Sequence, residues 1–400
     1  MARPSESQLF EALDQFAIEL PSWGFADTGT RFGKFVQPAA ASTIDEKLED
    51  AGICHSLTGA CPTVAVHVLW DFAADQDPAH VSQLAAGHGV KIGSINPNVF
   101  QDQAYKYGSL AGPDPDAARR AFDHISHCIT LGRSVGSDLL SLWFADGTNY
   151  PGQDNLRRRK RAMGEALSKL HAKMPPSMTM LIEYKPFEPA FYHTDIADWG
   201  MAASFAREAG PNAKVLVDTG HHLPGANVAH IVSFLLDEGA LGGFHFNDRK
   251  YADDDLTMGS IDPYGAFLIF NAIAQHEHDT ARPADIAYMV DQSHNLKNKV
   301  EAALQTVDTA QKLFLKARMV DREALARAQA AADVVAAEAC LVDAFETDVR
   351  ELLSAWRREH DLPTDPIAEY RASGHEKQAA LRRTRARAQR GETAAGASYA

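Results

Sequence analysis

The chain has 400 residues, enough for one large domain with an extension or for two domains. A hydrophobic fraction of 45% and a charged fraction of 23% are ordinary for a globular protein, while a formal net charge of −14 argues against wrapping nucleic-acid phosphates, which takes an excess of Lys and Arg. The opening MARPSESQLFEALDQF lacks an apolar signal-peptide core, and no run of about 20 apolar residues offers a span, so a cytoplasmic protein with no membrane partner is expected.

Eight short apolar runs, rich in β-branched and aromatic residues, follow one another along the chain. They are FAIEL (16–20), TVAVHVL (63–69), KIGSI (91–95), LLSLWFA (139–145), MTMLIEY (178–184), AKVLVD (213–218), GGFHFN (242–247) and IAYMVD (286–291). Their length and continuous apolar character suit strands buried on both faces of a parallel sheet. Amphipathic stretches separate them, clearest at 115–135, 155–174, 195–209, 226–239 and 260–278, with Pro and Asp marking starts such as PDPDAARRAF. This alternation predicts an α/β fold of the (β/α)8 TIM-barrel type, with a C-terminal helical extension, rather than an open doubly wound sheet. No GxGxxG follows any of the runs, which counts against dinucleotide binding.

The barrel and its site are assigned to residues 1–296. Residues 297–357 are rich in Ala, Leu, Glu and Arg at helical spacing and predict one or two long helices, so 297–362 reads as an extension suited to contacts between subunits. Residues 363–400 read as a mostly irregular tail, disordered over LRRTRARAQRGETAAGASYA (381–400), whose arginines either stay solvated or meet an acidic partner. The four cysteines, Cys54, Cys61, Cys128 and Cys340, form no CxxC pair and are expected as buried, reduced thiols.

In a (β/α)8 barrel the active site lies at the C-terminal ends of the strands. There the first run leads into Trp23, with Phe32 beyond; the second holds His67; the fourth holds Trp143. The fifth ends in Glu183 and Lys185, and the sixth in Asp218, with His221 and His222 following. The seventh carries His245, then Asp248, Asp253, Asp254 and Asp255; the eighth ends in Asp291, with His294 beyond. One such Asp or His is more often a cap or loop residue than a ligand. Four successive strands that each place a carboxylate or imidazole at one mouth are a different matter. Such groups repel and are costly to desolvate, and a divalent cation removes that cost.

Hard oxygen donors with one or two imidazoles suit Mn, Mg, Co or Zn. Spacing divides the ligands in two. Glu183, Asp218, His245 and Asp291 can close a four-ligand site; His221, Asp253 and Asp255, sharing Asp218, can form an open one. In extended backbone Asp253 and Asp255 point the same way and Asp254 points to solvent. Lys185 can bond a substrate oxygen and relay a proton, or make a surface salt bridge. Trp23, Phe32 and Trp143 can wall a sugar or fill core, and His67 can bond a hydroxyl or sit satisfied in the core. His222, Asp248, Lys250 and His294 are candidates for orienting the ligands.

The segments PSWG with TRFGKF, VHVLWD, YKYGSL, LWFADGTNYPGQ, EYKPFEPAFYHT, VLVDTGHH, GGFHFNDRKYADDDL, MVDQSHN and YRASG together resemble bacterial L-rhamnose isomerases. The likeness is to the broad-specificity type within the xylose isomerase-like TIM-barrel superfamily and runs from about Pro21 to Gly374. It implies a structural metal on Glu183, Asp218, His245 and Asp291, and a catalytic metal near His221, Asp253 and Asp255, with manganese preferred. It also implies that Trp23, His67, Trp143 and Lys185 face the sugar, that Phe32 reaches a neighbouring subunit's pocket, and that subunits form a homotetramer. Tyr184 departs from the pattern, which has a more polar neighbour of Glu183.

The expected reaction interconverts an aldose and a ketose: L-rhamnose with L-rhamnulose, as in rhamnose catabolism, and rare aldohexoses such as D-allose/D-allulose. Because the carboxylates are committed to metal, a hydride shift between C1 and C2 is favoured over an enediol route, which needs a base at the carbon-bound proton. Lys185, or water near Asp291, moves the hydroxyl proton. The alternatives are a sugar epimerase and a metal-dependent hydrolase or nuclease on a similar barrel. A nuclease needs a basic groove that the charge balance does not supply.

Overall fold

The eight apolar runs all become parallel strands, and they close on themselves. In the computed structural model, which describes residues 4–30, 33–73, 76–187 and 193–391, they are β1 Ile18–Pro21, β2 Thr63–His67, β3 Lys91–Asn96, β4 Leu139–Leu142, β5 Thr179–Glu183, β6 Ala213–Asp218, β7 Leu241–Phe246 and β8 Ala287–Val290. Each pairs in parallel with its sequence neighbour, and β8 returns to β1, giving a closed barrel. Closure leaves no sheet edge to protect, and the outer faces are covered by helices.

Before the barrel stands α1 Glu6–Asp14; around it run α2 Ile44–Thr58, α3 Pro78–Gly87, α4 Pro115–Val135, α5 Leu156–His171, α6 Trp199–Ala209, α7 Val228–Asp237 and α8 Pro263–Thr280. Local chemistry sets these boundaries. Asp114 accepts from the amide of Asp116, Pro115 occupies the first turn, and Gly136 takes the left-handed conformation (φ 74°) that ends α4. Helix and strand side chains such as Leu48, Val64, Ile125, Leu140, Met163, Val215 and Phe267 are fully buried between the layers. The barrel interior is less apolar. Leu181, Leu216 and Met289 form a small separate cluster, and beside it Glu19 accepts from the amide and hydroxyl of Ser94. Gly93 makes room for that carboxylate, since a Cβ there would fall 1.6 Å from Glu19 Oε2.

Beyond β8 the chain is more broken than one or two long helices. It folds into α9 Lys299–Arg318, α10 Arg322–Ala330, α11 Val334–Glu346 and α12 Arg350–Glu359. Asp321 and Asp333 each cap a new helix by accepting a backbone amide, and Ala332 takes a positive φ of 54° between two of them.

The expected irregular tail is also corrected. Residues 366–391 carry α13 Pro366–Ser373 and α14 His375–Gln389, joined at Gly374 (φ 68°). Ala and Arg are good helix formers, and Arg383, 1% exposed in its side chain, fastens α14 to the barrel through Asp50. Residues 392–400, the remainder of the segment read as disordered, lie outside the described residues. All four cysteines are free. Burial raises the thiols of Cys54, Cys61 and Cys128, whereas Cys340, on α11, is only half-buried. Among the described residues no helix is long and apolar enough to cross a membrane.

Candidate metal centre

The C-terminal ends of β5 to β8 bring the predicted ligands together. One donor atom each from Glu183, Asp218, His245 and Asp291 lie within 4.8 Å of one another; so do donors from Asp218, His221 and Asp253. Asp218 belongs to both groups, as the spacing of DTGHH predicts. Glu183 also spans them, with Oε1 3.1 Å from His221 Nδ1 and Oε2 3.3 Å from His245 Nδ1. His221 Nδ1 lies 3.1 Å from the Tyr184 carbonyl oxygen, a contact that directs Nε2 toward Asp253 Oδ1 at 3.3 Å and Asp218 Oδ2 at 4.0 Å.

Asp255 departs from expectation. It does not share an extended backbone with Asp253; its φ is 46°, and it belongs to neither donor group. Asp254 is not turned to solvent either. Its carboxylate accepts from the amides of Lys250, Tyr251 and Ala252 and holds the loop's shape. Asp255 nevertheless feels the site: burial, then the charges of Asp291, Asp253 and Asp218, push its carboxyl well up.

The electrostatics describe a site short of positive charge. Burial raises Asp218, and the Glu183, Asp253 and Asp291 carboxylates add to this against His221, lifting it to about 7. Burial lowers His245, but Glu183 and then Asp291 outweigh it and lift the imidazole to about 9. Burial raises Glu183 too, yet the two imidazoles hold it below the usual carboxylate range. Buried carboxylates packed this closely repel one another, so they cannot all ionise without cost.

A cation fits the residues on three counts. The Nε2 of buried His245 has no hydrogen-bond partner among the described residues, and its Nδ1 only faces Glu183 Oε2 at 3.3 Å. Gly220 leaves a cradle that a Cβ would fill at 2.6 Å from Asn247 Oδ1 and 3.2 Å from both Asp218 Oδ1 and Asp253 Oδ1. Finally, Asn247 Nδ2 donates to both Asp218 oxygens at 3.0 and 3.2 Å, and the Gly220 amide donates to Oδ1 at 2.7 Å, fixing the shared carboxylate. A third acidic group, Glu49, Asp50 and His375, has its charge met by the Arg383 guanidinium instead.

Beside the ligands runs an aromatic wall. The Trp23 and His67 rings are 4.7 Å apart, His67 and Phe100 5.7 Å, and Phe100 and Trp143 5.1 Å. Trp23 Nε1 donates to Asp291 Oδ1 at 2.8 Å, joining wall to ligands. Lys185 Nζ stands 5.2 Å over the Trp143 ring and 2.6 Å from Asp253 Oδ2. His67 Nδ1 and Trp143 Nε1 are buried with no hydrogen-bond partner among the described residues. Burial, helped by His245, lowers His67 to about 3, so its ring is neutral. Phe32 lies outside the described residues.

Some residues serve other purposes, or were not anticipated. His222 Nε2 meets the Tyr184 hydroxyl at 2.6 Å, which gives the unexpected tyrosine its partner. Asp248 accepts from the amides of Ile261 and Asp262 and shapes the β7 loop. Phe100 and Asn247 were missed. The signal for both was available: each stands just beyond a strand, β3 or β7, at the end where the other candidates were sought.

Comparison with known proteins agrees with the barrel. Residues 62–279 match the family described as xylose isomerase-like TIM barrel. The chain is 40% identical over 376 residues to a "Probable sugar isomerase" of Mesorhizobium japonicum, covering 93% of this chain and 87% of that one. It is 39% identical over 373 residues to another "Probable sugar isomerase" from Rhizobium meliloti, covering 92% and 86%. Among solved structures, an L-ribulose 3-epimerase superposes with a TM-score of 0.55 at 16% identity, covering 80% of this chain and 96% of that one. The chain belongs to the xylose isomerase-like TIM-barrel family.

Proposed function

We propose that the protein is a divalent-metal-dependent aldose–ketose isomerase that acts on L-rhamnose and on rare aldohexoses such as D-allose. The coarse class, a sugar isomerase or epimerase on this barrel, rests on the family match and on the probable sugar isomerases it resembles over nearly its whole length. The rhamnose assignment rests on the resemblance of the strand-end motifs. One observation carries the metal reading: two ligand groups that share Asp218.

Glu183, Asp218, His245 and Asp291 would hold one cation, and Asp218, His221 and Asp253 a second, with Asp255 beside it adding negative charge. Cations bound there, manganese by preference, supply polarisation of neighbouring sugar oxygens. The chain's own groups do the rest. Trp23, Phe100 and Trp143 cover the apolar face of the sugar and exclude water. Neutral His67 and the Trp143 indole offer polar atoms to hydroxyls. Lys185 carries the proton from O2 to O1 while hydrogen, with its electron pair, moves from C2 to C1 and the carbonyl passes from C1 to C2. A homotetramer accompanies this reading by the same resemblance, and the four free cysteines accord with a reducing cytoplasm.

The test is product analysis after incubation with L-rhamnose, D-allose, L-mannose and D-allulose, with Mn and with a chelator. We expect the matching ketose or aldose with Mn and loss of turnover on chelation. Deuterium placed at C2 is expected at C1 of the product; complete washout into solvent would replace the hydride shift by an enediol route. A product epimerised at C3, with no aldose formed, would favour an epimerase.

Protons compete with the cation at His245 and Asp218, which burial and their neighbours hold at about 9 and about 7. Below those values both sites carry protons that metal must displace, so Mn affinity falls as pH drops from about 8 to about 6. Calorimetry in two buffers of different ionisation enthalpy should record proton release at pH 7. Affinity independent of pH would contradict the ligand set.

A further inference from the structure

We propose that the C-terminal helix α14 is a splint for the first βα loop, with Arg387 as the residue that positions it at the substrate entrance. The kinetic consequence rests on the isomerase reading above; the structural consequence does not.

The described part of the loop joining β1 to α2, residues 22–30 and 33–43, includes Trp23, already tied to Asp291. Further along, the Thr28 hydroxyl meets that of Ser293, and Gln37 Nε2 donates to the Asn295 carbonyl at 2.9 Å. Asp27 Oδ1 accepts from the Gln37 amide at 2.8 Å and folds the loop on itself. The loop thus lies along the segment that follows β8 and carries Asp291. Phe35, 54% exposed, stands on it.

From the outside, the loop is held by the arginines of α14. Arg387 donates to the carbonyls of Ala40 at 2.6 Å and Gln37 at 3.3 Å, and lies 3.3 Å from Asp27 Oδ2. Arg383 donates through both terminal nitrogens to Asp50 at 2.8 and 2.9 Å, and reaches the carbonyls of Ala39 and Glu46. Arg390 donates to Ser42 Oγ at 2.7 Å. The arginine run that the sequence leaves either solvated or awaiting an acidic partner finds that partner within its own chain.

Buried Arg383 and half-buried Arg387 divide the work. Arg383 docks the helix, because its charge is met by Asp50 and Glu49 on α2. Arg383 also touches the loop at the Ala39 carbonyl, and Arg390 at Ser42, but Arg387 grips it at three residues, 27, 37 and 40. The planar fork of five donors suits two carbonyls and a carboxylate, whereas lysine offers three donors from a single point, which makes it a poorer substitute.

Arg387→Ala in the full chain separates positioning from folding. The variant should bind Mn within about twofold of the parent, show a KM for sugar raised about 3- to 10-fold, the net worth of about one ordinary hydrogen bond, and keep kcat within about twofold. Chymotrypsin cleavage after Phe35 should quicken by about the same factor relative to cleavage after Tyr251, which is 85% exposed on a different loop. Arg387→Lys should recover part of both effects. Unchanged KM and unchanged Phe35 cleavage overturn the proposal. So does a lower thermal midpoint with Phe35 cleavage unchanged, because that is packing alone. If the parent turns over no sugar, the isomerase reading fails, while Phe35 cleavage still decides whether α14 holds the loop.

Discussion

Glu183→Gln is expected to weaken divalent-cation binding at least about 100-fold, close to 2.8 kcal/mol, and to leave turnover below about a thousandth of the parent. Glutamine keeps the size of the side chain and removes its charge and one acceptor oxygen. The loss is large because the carboxylate stands between the two ligand groups, 3.1 Å from His221 on one side and 3.3 Å from His245 on the other. Without it neither imidazole has its nearest anion and the first group loses a donor. Calorimetric titration with Mn reads the affinity, and the sugar assay reads turnover. Circular dichroism should show the barrel intact, since Glu183 lies at the end of β5 rather than in the packed layers. Binding of Mn within about threefold of the parent would remove Glu183 from the ligand set.

Lys185→Met should lower kcat by about 10²- to 10⁴-fold, the usual worth of a placed proton-transfer group, with much smaller changes in KM and in Mn affinity. Methionine retains the apolar stem against Trp143 and deletes the ammonium. The competing role for Lys185 is to neutralise Asp253, whose carboxylate it meets at 2.6 Å. The two roles predict different outcomes. Loss of proton transfer lowers kcat and leaves Mn affinity nearly intact. Loss of a counter-charge alone leaves kcat intact and tightens Mn binding, because Asp253 would have one cation fewer to satisfy. An unchanged kcat would therefore end the catalytic assignment.

The barrel was legible because its strands are buried on both faces, so they stand out as unbroken apolar runs such as AKVLVD at 213–218, which is β6 in full. The helix at 115–135 was equally plain, since Pro115 and Gly136 mark both ends. Breaks within 297–357 were not, because they depend on caps such as Asp333 in an otherwise uniform Ala-rich stretch. The helix α14 was hidden for a related reason. Its arginines read as a solvated run until Asp50, far away in sequence, is seen to face Arg383. At the site, strand-end reasoning picked out candidate donors on β5 to β8 that the fold brings together. Period-two reasoning misjudged Asp255, where a left-handed residue breaks the extended geometry that the rule assumes. Phe100 escaped because β3 contributes no ionisable group to draw attention to its end.

The pairing of Arg383 with Asp50 bears on the order in which this protein is made. The two residues are 333 positions apart. At about 5–20 residues per second, roughly 20–70 s separate the synthesis of one from that of the other. Through that interval the strands of the barrel leave the ribosome one after another, while Asp50 waits for its counter-ion. The contacts between the first loop and α14 therefore form only after that helix is released, later than those among the barrel strands. A fusion partner attached close behind α14 would prolong that wait, whereas one placed ahead of α1 would not.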